Sequence, residues 1–248
     1  YQDAITKDTN QSFLFHSNIS SSLNIGLLDL HELIEKIVNS QAPYNAKEGF
    51  IRQIIGWREF MLRVYEDNGT VLRNSNFFEF KNQIPKKILE AKSNIQILDD
   101  TIKKLELTAY NHHIERLMIL GNIFLLLEIK PNEVYEFFMK NYIDAYDWVM
   151  VGNVYGMSGF SDGGSITTKP YISSSNYLLK MSDYSKNESW CEILDALYWR
   201  FLYKYSFKFD KNPRMKMQIA LLNKMPKEKL ENHLLVAKKF IDDIFITN

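Results

Sequence analysis

Cysteine is nearly absent: the chain of 248 residues has one, Cys191. A lone thiol excludes an intrachain disulfide framework and a cysteine-built metal cluster, and a reducing, cytoplasmic setting is expected. No apolar run approaches the roughly 18 residues that a membrane span requires, so no membrane partner is expected. No signal-peptide pattern opens the chain, and residues 1–10 read as polar and irregular. Net charge is missing too: 30 Lys and Arg balance 30 Asp and Glu, so the chain as a whole does not announce a nucleic-acid partner. Alternating strands, internal repeats and low-complexity linkers are lacking. What remains is a helical chain with room for one large domain over residues 1–248.

What is present is unevenly placed. Residues 204–239 hold ten Lys and Arg against three Asp and Glu, which suits either phosphate contacts or a solvated basic helix pair. Residues 12–28 mix apolar with small polar side chains. Their serines, Ser17 and Ser20 among them, offer donors to an anion or simply cap a turn. The spacing predicts a helix from Asp29 or His31 through Asn39. A second is predicted over 46–66, with Phe50, Ile51, Ile54, Ile55, Phe60, Met61 and Val64 as its buried stripe. Within it, Gly56 permits a close approach. Residues 68–75 read as a loop, and 99–109 as an amphipathic helix.

Two adjacent histidines, His112 and His113, open the next predicted helix, 111–127. His113 and Arg116 are spaced to share its face, placing a titratable imidazole beside a permanent cation. That suits an anionic ligand or a proton transfer, although such a pair also occurs as plain hydrogen-bonded structure. Pro131 starts another helix, and Asp144 and Asp147 are spaced to share a helical face. Residues 153–175 form the longest irregular stretch, with Gly156, Gly159, Gly163, Gly164 and Pro170. Helices over 176–184, 191–205 and 227–246 complete an all-α chain.

Several of these stretches, in order, resemble one family: Leu23-Asn24-Ile25-Gly26-Leu27-Leu28, Arg52-Gln53-Ile54-Ile55-Gly56-Trp57-Arg58-Glu59, His112-His113-Ile114-Glu115-Arg116 and Asp144-Ala145-Tyr146-Asp147-Trp148. Asn153-Val154-Tyr155-Gly156-Met157-Ser158, Thr168-Lys169-Pro170-Tyr171, Met181-Ser182-Asp183-Tyr184 and Asn212-Pro213-Arg214-Met215 extend the match over nearly the whole chain. The sequence is similar to the C-terminal, helical FAD-binding domain of photolyases and cryptochromes. It is most like the prokaryotic (6-4) photolyase branch, whose members usually carry an iron–sulfur cluster.

The resemblance implies FAD bound among helices, and damaged DNA whose pyrimidine photoproduct flips into the same cavity for light-driven repair. A non-catalytic, cryptochrome-like photoreceptor or a decayed nucleic-acid-binding module is the alternative. An N-terminal α/β antenna domain, absent from this chain, is expected in the full-length protein. FAD-binding positions carried over are Ser17, Ile19, Ser20, Leu23, Gln53, Trp57, Arg58, Arg116, Asp144, Asp147 and Asn153. Arg116, paired with Asp144, would stabilise a reduced flavin anion. His113 would supply a proton to the lesion, with His112 orienting the site or touching the lesion and Tyr171 facing it. Leu117 stands where animal-type enzymes have another histidine. Lys169 and Arg214 would contact DNA, and Tyr177 and Trp148 would carry electrons.

Three departures stand out. Ser185 and the neighbourhood of Glu188 fall where cluster cysteines belong, leaving Cys191 alone, so no iron–sulfur cluster is expected. Met150 stands where an acid near the flavin is usual. Phe137 replaces an oxidisable tryptophan. Elemental analysis of the purified protein should find no stoichiometric iron; one cluster equivalent per chain would refute the cysteine argument.

Overall fold

The chain's longest apolar run, residues 117–127, becomes the centre of the core. Ile119, Leu120, Ile123 and Leu126 are fully buried there. The structure, a computed structural model, describes residues 3–246. Tyr1 and Gln2 of the irregular opening segment lie outside the described residues. Among the described residues the architecture is all-α, as expected; the only extended pairings are isolated bridges from Ile5 to Ser182 and from Asn82 to Ile129.

The elements run α1 (Ser20–Asn24), α2 (Leu30–Val38), α3 (Tyr44–Ile51), a π-helical stretch Arg52–Trp57, and α4 (Arg58–Arg73). Then come α5 (Lys86–Leu89), α6 (Gln96–Thr108), a second π-helical stretch Glu115–Gly121, α7 (Asn122–Leu126) and α8 (Pro131–Asn141). α9 (Asp147–Met150) leads into a third π-helical stretch, Val151–Ser158, followed by α10 (Ser175–Met181), α11 (Trp190–Tyr205), α12 (Lys216–Asn223) and α13 (Lys227–Ile244). Asp29 caps α2, its carboxylate accepting from the amides of His31 at 2.9 Å and Glu32 at 3.0 Å.

Four expectations are corrected. The second helix does not stop at residue 66: α4 continues to Arg73, because Leu72 packs with Val64, Val151 and Tyr155 and outweighs the local turn chemistry of 68–75. Its stripe is buried only at Ile54, Met61 and Val64, whereas Ile55 and Phe60 are exposed. The π-helical stretch between α3 and α4 has a different period, which turns the stripe off a straight helical face. The third correction concerns 153–175, which is helical as far as Ser158. Gly156 serves packing there: a Cβ on it would lie 2.7 Å from Ile166 Cγ1. Finally, Asp144 precedes α9 while Asp147 begins it, so the two carboxylates do not share a helical face.

α6 is bolted to the second π-helical stretch through charge. Lys104 Nζ donates to Glu115 Oε1 at 2.7 Å and to the Thr6 carbonyl at 2.6 Å, and both side chains are buried. Removing one partner strands the other charge inside. Lys104→Met should therefore cost about 3–5 kcal/mol in urea unfolding, and adding Glu115→Leu should recover most of that loss.

Candidate functional site

Segment 17–24, the start of α4 and the Asp144–Asn153 region close around one cavity of about 690 Å³, open to solvent on one side. Its walls contain Ser17, Ile19, Ser20, Leu23, Gln53, Trp57, Arg58, Asp144, Trp148 and Asn153, together with Asn24, Phe50, Ile54, Met61 and Val149. Asn18 has a φ of 51°, a left-handed conformation that asparagine tolerates, and it turns the chain between Ser17 and Ile19.

Asp144 is the knot of the wall. Arg116 donates to both its oxygens, at 2.9 and 3.1 Å, and Ser20 Oγ donates to Oδ2 at 2.7 Å. Asn24 Nδ2 donates to the Asp144 carbonyl at 3.0 Å, and Asn24 Oδ1 accepts from Arg58 at 2.6 Å. Arg58 lies over the Trp148 ring at 5.1 Å, and burial lowers its pKa. Arg116 is oriented by the Asn111 carbonyl at 2.6 Å and sits over Tyr142 at 4.2 Å and Tyr110 at 4.9 Å. Because the Ser20 hydroxyl hydrogen points to Asp144, donation from Ser20 to an anion falls to its backbone amide.

Asp147 stands apart from the cavity lining. Its carboxylate is taken by Arg73, Tyr135 and Tyr65, and the Arg73 guanidinium first of all holds its pKa down at about 2. Tyr177 is half-buried against the core, which raises its hydroxyl pKa, and Tyr171 packs there too. Lys169 and Arg214 are exposed on adjoining loops, joined by Asn212 Nδ2 donating to the Thr168 carbonyl at 3.0 Å. Met150 and Phe137 are buried in the core, Phe137 edge-on to Phe124 and Phe138.

The Ser185–Cys191 turn is closed by Glu188. Its carboxylate accepts from the Ser185 amide at 2.8 Å and from Trp190 Nε1 at 2.5 Å. Burial raises the Cys191 pKa, which keeps the thiol protonated. A hydroxyl, a committed carboxylate and one thiol are not the donor set of an iron–sulfur cluster.

The helix expected from 111 begins at His113, so the two histidines part company at its start. His113 is exposed, one turn before Arg116. His112 is fully buried, with both ring nitrogens lacking a hydrogen-bond partner among the described residues and Nε2 3.5 Å from Glu115 Oε2. Crowding by protein, then Arg116 and His16, brings the His113 pKa down to about 4. Burial, followed by His16, Lys104, His113 and Arg116, brings that of His112 down to about 3. The sequence reading gave no role to His16, whose ring lies against His112, to Lys104, or to Asn24, which it quoted only within the Leu23–Leu28 match; each is placed by tertiary contact.

A histidine whose folded pKa lies below its ordinary 6.5 makes stability depend on pH in one direction. Below 6.5 the unfolded chain takes up a proton that folded His112 refuses, so its contribution is complete above pH 6.5 and is lost as pH falls toward 3. The slope from this residue approaches about 1.4 kcal/mol per pH unit. Glu115, whose pKa burial raises, works in the opposite sense, so His112→Phe isolates the imidazole. Urea unfolding at pH 7.5 and 5 should show a smaller loss in the variant than in the wild type.

No protein-family model matches the chain. It is 39% identical over 241 residues to a (6-4) photolyase of Agrobacterium fabrum, covering 92% of this chain and 47% of that protein. An uncharacterised protein of Acanthamoeba polyphaga mimivirus is 51% identical over 92 residues, 37% of this chain and 75% of its own length. A second from the same virus is 32% identical over 104 residues, 40% of this chain and 78% of its own. The chain thus spans about half the length of the photolyase it matches. The chain belongs to the photolyase/cryptochrome superfamily as a relative of the prokaryotic (6-4) photolyases.

Proposed function

We propose that this chain is the FAD-binding, catalytic part of a light-dependent DNA-repair enzyme acting on a (6-4) pyrimidine photoproduct. The observation that carries the reading is the cavity: Ser17, Ile19, Ser20, Leu23, Gln53, Trp57, Arg58, Asp144 and Asn153, far apart in sequence, form one wall. Hydroxyl, amide and guanidinium donors beside two indole faces fit a dinucleotide that is part anionic and part aromatic. When bound, FAD would supply the photoexcited electron.

The chain's own residues have separable parts. Arg116 presents a fixed positive charge, held in direction by Asp144 and the Asn111 carbonyl, and so favours negative charge nearby. Ser17 and the backbone amides of Ile19 and Ser20 serve a pyrophosphate, and Arg58 with Trp148 forms a cationic, aromatic flank. Asp147, engaged by Arg73 and two tyrosines, supports the Trp148 backbone from outside the cavity. His113 would exchange a proton with the lesion; its pKa of about 4 leaves the ring neutral at pH 7 until nearby negative charge raises it, and His112 orients the site. Tyr171 faces the lesion, and Lys169 and Arg214 grip flanking phosphates of damaged DNA.

A non-catalytic flavin photoreceptor is the second reading. It is favoured by Phe137, which sits in a phenylalanine ladder where an electron relay would need an oxidisable ring. Blue-light treatment of a defined (6-4) oligonucleotide with chemically reduced full-length protein separates the two. Repair is expected; flavin binding without repair would favour the photoreceptor. Asp144→Ala, which strands Arg116, should lower flavin retained through gel filtration by about tenfold or more, read from the visible spectrum. A wild-type spectrum without flavin bands would overturn both readings.

A further inference from the structure

Three of the five histidines gather at one point, although one comes from the far end of the sequence. His16 lies in the segment just before α1. Its ring is flat against His112, with centroids 4.5 Å apart and planes only 3° apart. His113 follows His112 in the chain and turns outward to solvent.

We propose that His16 is a positioning residue of the histidine site: by stacking on His112 it fixes that buried ring and disfavours charge on it. The inference deepens the reading above and rests on it only for the identity of the ligand.

Three observations carry it. First, the parallel stack is the specific contact that orients His112, because no hydrogen bond to either ring nitrogen does so among the described residues. Second, the groups facing the trio are predominantly positive. His112 is surrounded by His16, His113, Lys104 and Arg116, and His113 by Arg116 and His16. The opposing carboxylates are Glu115, one oxygen of which is held by Lys104, and Asp3. Stacked imidazoles cannot both be charged cheaply, so a proton on His16 works against one on either neighbour. Third, His16 is followed at once by Ser17, Ile19 and Ser20 of the cavity wall. The ring that rests on His112 therefore ties the ligand cavity to the histidine pair through a few residues of backbone.

The test is a histidine-selective NMR titration of the flavin-free full chain, comparing the wild type with His16→Phe and His16→Ala. Phenylalanine keeps a flat ring on His112 but removes the charge. The His112 midpoint should rise in His16→Phe by about half a unit, because its stacked partner can no longer take a charge. In His16→Ala it should rise as well, and the His112 resonance should broaden as its ring loses the stack. Should His16→Ala fail to fold, His16→Phe still decides the matter. A His112 midpoint unchanged in His16→Phe overturns the proposal, because a residue that merely fills space is replaced by phenylalanine without consequence. Since the titration needs neither flavin nor DNA, it stands or falls separately from repair activity.

Discussion

The bidentate contact between Arg116 and Asp144 is the constraint on which the rest of the site depends. Both partners are largely withdrawn from water, and an ion pair in that position gains little net stability because desolvation offsets most of the Coulomb attraction. Its value here is geometric. Asp144 also receives Ser20, and its carbonyl receives Asn24, which in turn receives Arg58. One residue thus joins α1, the start of α4 and the turn before α9. Each of those pieces is short or partly exposed and has little packing of its own; α1 buries no residue at all. The knot ties the α1 side of the cavity wall to the second π-helical stretch.

The three π-helical stretches fall where the wall and the knot need them. Arg52–Trp57 carries Gln53 and Trp57, Glu115–Gly121 carries Arg116, and Val151–Ser158 carries Asn153. An extra residue per turn widens the helix and redirects side chains, which is why such stretches recur at functional sites. Two of them meet at Gly121, where a Cβ would come within 2.8 Å of Ser158 Cβ and 3.2 Å of the Arg116 carbonyl. The close crossing keeps the Arg116 backbone against the core while its guanidinium reaches Asp144.

Most helices and most of the cavity wall were legible in the sequence, for different reasons. Apolar spacing located α2 and α6, and Pro131 marked the start of α8. The wall residues came from ordered short matches, not from any periodic signal. Periodicity failed where its assumption of a constant 3.6-residue turn failed: at Ile55 and Phe60, just past a π-helical stretch, and at Asn153, where a glycine-containing segment stayed helical. His16 was illegible for another reason. A stacking partner placed by tertiary folding leaves no local trace in composition, spacing or charge.

Asp144 and Asp147 show how little residue type decides by itself. Spacing alone put them on one helical face, with one shared duty. The chain instead starts α9 at Asp147, so Asp144 is left in the preceding turn and faces Arg116. Asp147 faces Arg73, Tyr65 and Tyr135 on the other side. A carboxylate that already accepts from a guanidinium and two phenols has little capacity left for a ligand. Asp144, though equally well supplied, forms part of the cavity wall and directs Arg116 beside it. The division between a carboxylate that shapes the cavity and one that braces it from outside is therefore set by a helix start, three residues later than periodicity would place it.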